Sequence, residues 1–264
     1  MKPSFLQKCL RYLIPPHCGG CGELLDPADP EDLCKDCLAE WEQLTREACP
    51  CCHKTAAYCS CQVPAFSELT NVTHLSLLFY KHYDPNRLGD RMLYQAKRKE
   101  NAHCYHVFST YLSEKLLTYA AEHCISLSDY VVLYPPRTEE NRRKYGFDHA
   151  ARLAREIAKR CGMKCCSLFC REGGKEQKLS TATERRENAE ETIFLKTSPS
   201  KDVHGFVLFD DVVTTGATAG RCIRLIRKES NCPVIVLSIA KTLPRAVIHR
   251  KVMLPSDDEP LWFE

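Results

Sequence analysis

The sequence has no apolar run long enough to span a bilayer, and its opening stretch, MKPSFLQKCLRYLIPPHC, is too short and too interrupted for a signal peptide. Those two absences argue against a membrane protein and an exported one, and leave the cytoplasm as the default. Charge of one sign is also scarce. Lys and Arg number 37 against 34 Asp and Glu, a net charge of +3 with a pI near 8.1, too mild by itself to mark a nucleic-acid binder. What the chain does have is cysteine: 18 in 264 residues. Without an export signal, reduced thiols and metal binding are the better reading than disulfides. Hydrophobic residues make up 44% and charged residues 27%, which suits a soluble core domain carrying an appendage.

The cysteines are unevenly spread. Ten lie before residue 62, and eight of these form pairs: Cys18 and Cys21, Cys34 and Cys37, Cys49 and Cys52, Cys59 and Cys61. Pairs of this kind about a dozen residues apart build zinc ribbons, each pair supplying half of a tetrahedral thiolate site. Gly19, Gly20 and Gly22 permit the tight turn at the first pair. Cys51 competes with Cys52, which is preferred because it keeps the two-residue gap. Spacing alone leaves open how many ions bind and whether the pairs combine sequentially or interleave. Cys9 and the eight later cysteines show no ligand pattern and read as small core residues. A module over residues 1–65, poor in apolar side chains, would owe its fold mainly to the metal. It has six Lys and Arg against nine Asp and Glu, hence −3, so the remainder carries +6 of the chain's +3. A structural or protein-docking role suits such a ribbon better than clamping nucleic acid.

The stretch FVLFDDVVTTGATAGRCIRLIRK, Phe206 to Lys228, carries the second chemistry. Phe206 to Phe209 reads as a buried strand, and Ala219, Cys222, Ile223 and Ile226 recur at helical spacing. The turn between them, Thr214 to Thr218, is small and rich in hydroxyls. It ends at a helix N-terminus, where backbone N–H groups and the helix dipole favour a phosphate. Asp210 and Asp211, at the C-terminal end of the strand, suit sugar hydroxyls or a bound cation. No Gly-Lys-Ser/Thr follows, so this is not the ATP-binding P-loop.

Around this motif, strands are expected near Leu75 to Tyr80, at Tyr130 to Tyr134, in KCCSLFC and ETIFLK, and at PVIVLSIA. Helices are expected to carry Arg87, Arg91 and Lys97, then Phe108 to Tyr119, then Ala150 to Cys161 with Gly162 as stop. Alternating strands and helices give an α/β fold with a mostly parallel sheet flanked by helices over residues 66–250, followed by a tail at 251–264. Arg137, Arg142, Arg143 and Lys144 follow the second strand. Arg171, Lys175 and Lys178 lie in a glycine-bearing loop, and Arg185 and Arg186 follow it. Their recurrence near the sheet's ligand edge favours an anionic ligand.

The run of apolar residues, two acids and Thr-Thr-Gly-Ala-Thr resembles the signature of the type I phosphoribosyltransferases, which bind 5-phosphoribosyl 1-diphosphate (PRPP). The resemblance implies a PRPP site at Asp210, Asp211, Val212, Val213, Thr214, Thr215, Gly216, Ala217 and Thr218. In that family the turn holds the 5-phosphate, the acids contact ribose hydroxyls, and Mg²⁺ accompanies the diphosphate. Joined to N-terminal cysteine knuckles, and with RRKYGFDHAARLAREIA further along, most of the chain from about Cys18 to Lys241 resembles the ComF family of competence-associated proteins. That resemblance implies a role in DNA uptake, with single-stranded DNA and a DNA-uptake protein docked by the ribbon as partners. Active phosphoribosyl transfer, or PRPP sensing without catalysis, are the alternatives. Arg137, Arg142, Arg143, Lys144 and Arg185 are the candidate contacts to diphosphate or nucleic acid, helped by stacking on Tyr94, Tyr134 and Tyr145. No catalytic residue is assigned. Asp148 and His149 read either as a general base or as a helix cap.

Overall fold

In a computed structural model, which describes residues 12–13, 15–28, 32–61, 63–80, 84–99, 101–139, 143, 146–173 and 182–242, the apolar runs become the strands of one parallel sheet. The elements run α1 (Lys35–Thr45), β1 (Val72–Tyr80), α2 (Leu88–Lys99), α3 (Ala102–Glu122), β2 (Tyr130–Leu133), α4 (His149–Arg160) and β3 (Lys164–Cys165). They continue with β4 (Phe169–Arg171), α5 (Ala182–Thr192), β5 (Ile193–Leu195), β6 (Gly205–Val213), α6 (Ala217–Arg227) and β7 (Val234–Thr242). The main sheet has the order β1-β7-β6-β2-β3, and every described pairing in it is parallel.

Strand alternation splits the core in two. On one face Val132, Val207, Phe209, Ile235 and Leu237 pack against α2, α3 and α4. On the other, Leu133, Phe206, Leu208, Val234 and Val236 meet Ile223 and Ile226 of α6. Each fully buried side chain of this size contributes about 1.5–3 kcal/mol. Local signals set the helix ends. The Asn101 side chain accepts from the N–H groups of His103 and Cys104 to start α3, and Asp148 accepts from Ala151 N to start α4. Gly162, at φ 68°, follows the end of α4.

The order of strands locates the site. From β6 the chain passes through α6 to β7 on one side, whereas from β2 it passes through α4 to β3 on the other. β6 and β2 are neighbours, so the connections diverge between them. A crevice opens there at the C-terminal ends of the strands.

Several expectations are revised. KCCSLFC divides into two short strands, of which β3 joins the main sheet and β4 pairs antiparallel with β5 in a separate sheet. Cys124 and Cys166 are exposed rather than core residues, unlike buried Cys104 and Cys222. The first cysteine segment also contributes to the main core. Trp41 of α1 is fully buried, with its ring 5.9 Å from that of Phe108 and 5.0 Å from that of Tyr111. Among the described residues, no helix is long and apolar enough to cross a membrane.

Candidate functional site

β6 is longer than its apolar run, so Asp210 and Asp211 lie within the strand rather than beyond it. Because successive side chains point to opposite faces, the two acids separate. Asp210 follows Phe206 and Leu208 toward α6, and lines a cavity of about 110 Å³ with Thr214, Thr215, Thr218, Arg171, Arg185 and Asn188. Asp211 follows Val207 and Phe209 toward the helices of the other face. There its carboxylate meets Lys97 of α2 at 3.0 Å and accepts from Nε2 of His149, the first residue of α4.

Their electrostatics differ accordingly. Burial, and then the neighbouring Asp211 charge, push Asp210 up to about 7. Burial also opposes ionisation of Asp211, but Lys97 and His149 outweigh it and hold that carboxyl well below the usual carboxylate range. Asp211 is committed to Lys97 and His149. Asp210 faces the cavity.

The turn itself is held from behind. Thr242 Oγ1 donates to the carbonyl of Thr214 at 3.0 Å, and Ala65 N donates to the carbonyl of Thr215 at 3.2 Å. In a trans peptide the N–H points opposite to the C=O, so these two bonds turn the amides of Thr215 and Gly216 away from the supporting segment. Gly216 caps α6 in the left-handed region at φ 75°, and a Cβ there would lie 2.5 Å from Val63 Cγ1. Only glycine fits both the conformation and the approach. The first-turn N–H groups of α6 add to this electropositive edge.

The expected cations are distributed around the crevice. Arg185 of α5 reaches Thr214 Oγ1 at 3.4 Å. Its helix is clamped to α6 through Glu190, which accepts from Arg221 at 2.5 Å and from Arg224 at 2.8 Å. Arg137, after β2, donates to the Phe147 carbonyl at 3.2 Å, and lies close enough to Asp148 and Asp211 to feel their charge. Arg143 is 79% exposed and pairs with Glu139 at 2.7 Å. Arg142 and Lys144 lie outside the described residues, as do Tyr145, Lys175 and Lys178. Tyr94 is exposed, but Tyr134 is buried and offers no stacking face. Asp148 is the N-cap of α4, and His149 is the partner of Asp211, a role its sequence position did not announce. Lys97 was expected only as a charge carried on a helix, and Arg171 only as one of several basic residues near the ligand edge. Their partners lie far away in sequence, so no local pattern identifies them.

The N-terminal cysteines gather into two groups: Cys18, Cys21, Cys34 and Cys37, and Cys49, Cys52, Cys59 and Cys61, with Sγ atoms within 4.8 Å of one another. The pairs therefore combine sequentially, and Cys51 stays out. Tetrahedral zinc with Zn–S near 2.3 Å requires S···S separations of about 3.8 Å. The observed Cys21–Cys34, Cys49–Cys61 and Cys52–Cys59 distances are 3.7, 3.6 and 3.6 Å. Backbone N–H groups of Gly20 and Cys34 point at Cys18 Sγ at 3.3 and 3.2 Å, and that of Cys51 at Cys49 Sγ at 3.4 Å. Such donors favour thiolate over thiol. Both groups could hold a metal ion, and four sulfur ligands suit zinc.

Comparison with known proteins agrees with this picture. No family model matches the chain. Competence protein ComFC of Streptococcus pneumoniae (strain ATCC BAA-255 / R6) is 26% identical over 220 residues, covering 81% of this chain and 89% of that protein, in line with the ComF resemblance. Among solved structures, a hypoxanthine phosphoribosyltransferase from Staphylococcus aureus is 10% identical, with a TM-score of 0.34 over 53% of this chain and 74% of that one. That likeness is loose.

Proposed function

We propose that this relative of ComFC, a phosphoribosyltransferase-like protein of the ComF type, binds PRPP with the 5-phosphate in the turn Thr214 to Thr218. One observation supports this above the rest. The turn's carbonyls are tied back by Thr242 and Ala65, so its amides face a cavity that also contains Asp210 and Arg185. At about 110 Å³ that cavity suits a phosphoryl group rather than all of PRPP. The ribose lies over Asp210, whose carboxylate accepts from its hydroxyls. The diphosphate extends along the crevice toward Arg137. Mg²⁺, when bound with PRPP, supplies charge neutralisation for the diphosphate, whose oxygens are its natural ligands. Asp211 acts at one remove: fixed by Lys97 and His149, it holds the end of β6 in place.

Transfer of the phosphoribosyl group would pass through a cationic state at the anomeric carbon, with the diphosphate leaving toward Arg137 and Arg185. The chain would contribute positioning and positive charge to that step. Zinc in the two cysteine groups is structural. The test is calorimetric titration of PRPP with Mg²⁺, followed by incubation with a panel of bases and measurement of pyrophosphate. Binding with turnover makes the protein a transferase, and binding without turnover makes it a PRPP-dependent regulator. Absence of binding overturns the reading.

A second activity, binding of single-stranded DNA, is favoured by Tyr94, which is 46% exposed on α2 beside exposed Arg98. A base can stack on such a ring while the basic rim meets the phosphates. With the competence role in ComFC's name, this points to DNA uptake, and to the acidic N-terminal segment as the surface that docks a protein of that machinery.

A further inference from the structure

The second cysteine group lies at the same edge of the sheet as the phosphate-binding turn. Cys49, Ala56 and Cys59 pack around Phe79, fully buried on β1. Across the ladder from Phe79 is Lys241 of β7, and across from Lys241 is Val213, the last residue of β6. Lys241 is only 2% exposed, and its ammonium donates to the carbonyls of Cys59 and Cys61 at 3.4 and 3.3 Å. An ammonium buried this deeply is costly unless charge compensates it. Carbonyls offer only dipoles, so a group of opposite charge close by is what would serve. Four thiolates around a divalent metal carry a formal charge of about −2, which meets that need.

Two short paths lead from this group to the turn. Along β7, the residue after Lys241 is Thr242, whose hydroxyl holds the Thr214 carbonyl. Along the chain, Cys61 leads to Val63, Pro64 and Ala65. Val63 is buried against Gly216, and Ala65 N holds the Thr215 carbonyl. Those are the two bonds that aim the turn's amides into the cavity. The first cysteine group packs elsewhere, with Cys104 of α3 donating to the Gly19 carbonyl and Gly20 lying against Leu88 of α2.

We propose that the second cysteine group, when it holds its metal, is the mount of the phosphate-binding turn, with Lys241 and Ala65 as positioning residues that transmit its order to Thr214, Thr215 and Gly216. Metal occupancy of Cys49, Cys52, Cys59 and Cys61 then sets the affinity of the turn for phosphate groups, which makes the anion site responsive to zinc supply and to thiol oxidation. The inference rests on the reading of that turn as a phosphate cradle.

The experiment uses the full-length zinc-loaded protein and two variants. Lys241→Met keeps the aliphatic stem and every metal ligand but deletes the ammonium. Cys59→Ser removes one ligand. Amide hydrogen exchange is followed across residues 213–220 and across α3, with zinc content measured on the same samples, and PRPP with Mg²⁺ is titrated into each. Lys241→Met should retain its zinc yet exchange about tenfold faster at the turn, with α3 unchanged, since a hydrogen bond from a charged donor is worth at least that factor. PRPP affinity should fall by a similar factor, and Cys59→Ser should show the larger effect in both. Unchanged exchange at the turn in zinc-replete Lys241→Met would overturn the proposal, as would loss of protection spread evenly over α3 and the turn. Exchange is read without ligand, so failure of the parent to bind PRPP would sink the phosphate reading separately, leaving the mechanical coupling to stand or fall on the exchange data.

Discussion

Single replacement of Asp210 and of Asp211 by asparagine should move stability in opposite directions, although the two are neighbours of one residue type. Asp210 is raised to about 7 by burial and by the adjacent charge, so the fold accommodates its protonated form. Below about pH 3 the folded and unfolded chains are both protonated there, and the residue carries no penalty. The cost builds as pH rises from 4 toward 7, where the carboxylate ionises in place, and is complete above 7. A move from 3.8 to about 7 corresponds to at most roughly 4 kcal/mol, part of which comes from the neighbouring Asp211 charge. Asp210→Asn should therefore raise the melting temperature by several degrees at pH 8, a gain that shrinks toward pH 4. Asp211 has the opposite sign. Its depressed folded pKa means that its stabilisation is present above the unfolded value near 4 and is lost as pH falls below it. Asp211→Asn strands Lys97 and weakens the bond to His149, and should cost about 2–4 kcal/mol at pH 8. Thermal unfolding of both variants at pH 5 and pH 8, with PRPP titration alongside, reads out the difference. Asp210→Asn should bind PRPP about ten- to a hundredfold more weakly despite its greater stability. If Asp210→Asn melts lower than the parent at pH 8, the fold does not hold the Asp210 carboxylate at a cost, and the reasoning from its raised pKa is wrong.

Thr215→Glu places an acid within the amide cradle and should abolish PRPP binding in a protein whose circular dichroism is unchanged; parent-like binding would put the phosphate elsewhere. Reduced, freshly purified protein should contain two zinc ions per chain, one for each group of four cysteines, and metal analysis well below one would refute the ribbon assignment. Binding of single-stranded DNA should weaken steeply with salt and weaken further when Arg142, Arg143 and Lys144 are all replaced by alanine, whereas salt-independent binding would count against phosphate contacts by those residues.

The cysteine groups and the strand–turn–helix proposed to bind phosphate were legible because each is written in neighbouring residues. Cysteines separated by one or two residues present their thiolates to one ion whatever surrounds them. An apolar run followed by Asp-Asp and a threonine-glycine turn dictates strand, turn and helix from local backbone preference. The stripe of α4 and the Asp148 cap were equally local. Reading failed where a residue's neighbours came from afar. KCCSLFC has strand-forming residues throughout, but its two ends pair with different partners, and Cys124 and Cys166 look like any small thiol until their exposure is known.

From the sequence alone came the inventory: four cysteine pairs, a turn of the kind that favours phosphate, and a parallel α/β sheet. Tertiary structure decided the assignments. It combined the cysteine pairs sequentially, turned Asp210 to the cavity and Asp211 to Lys97 and His149, and brought Lys241 under the carbonyls of Cys59 and Cys61. Residue type and short-range spacing determine what a group can do. Which group it meets is set by sheet order and strand alternation, and these follow from how the whole chain buries its apolar faces.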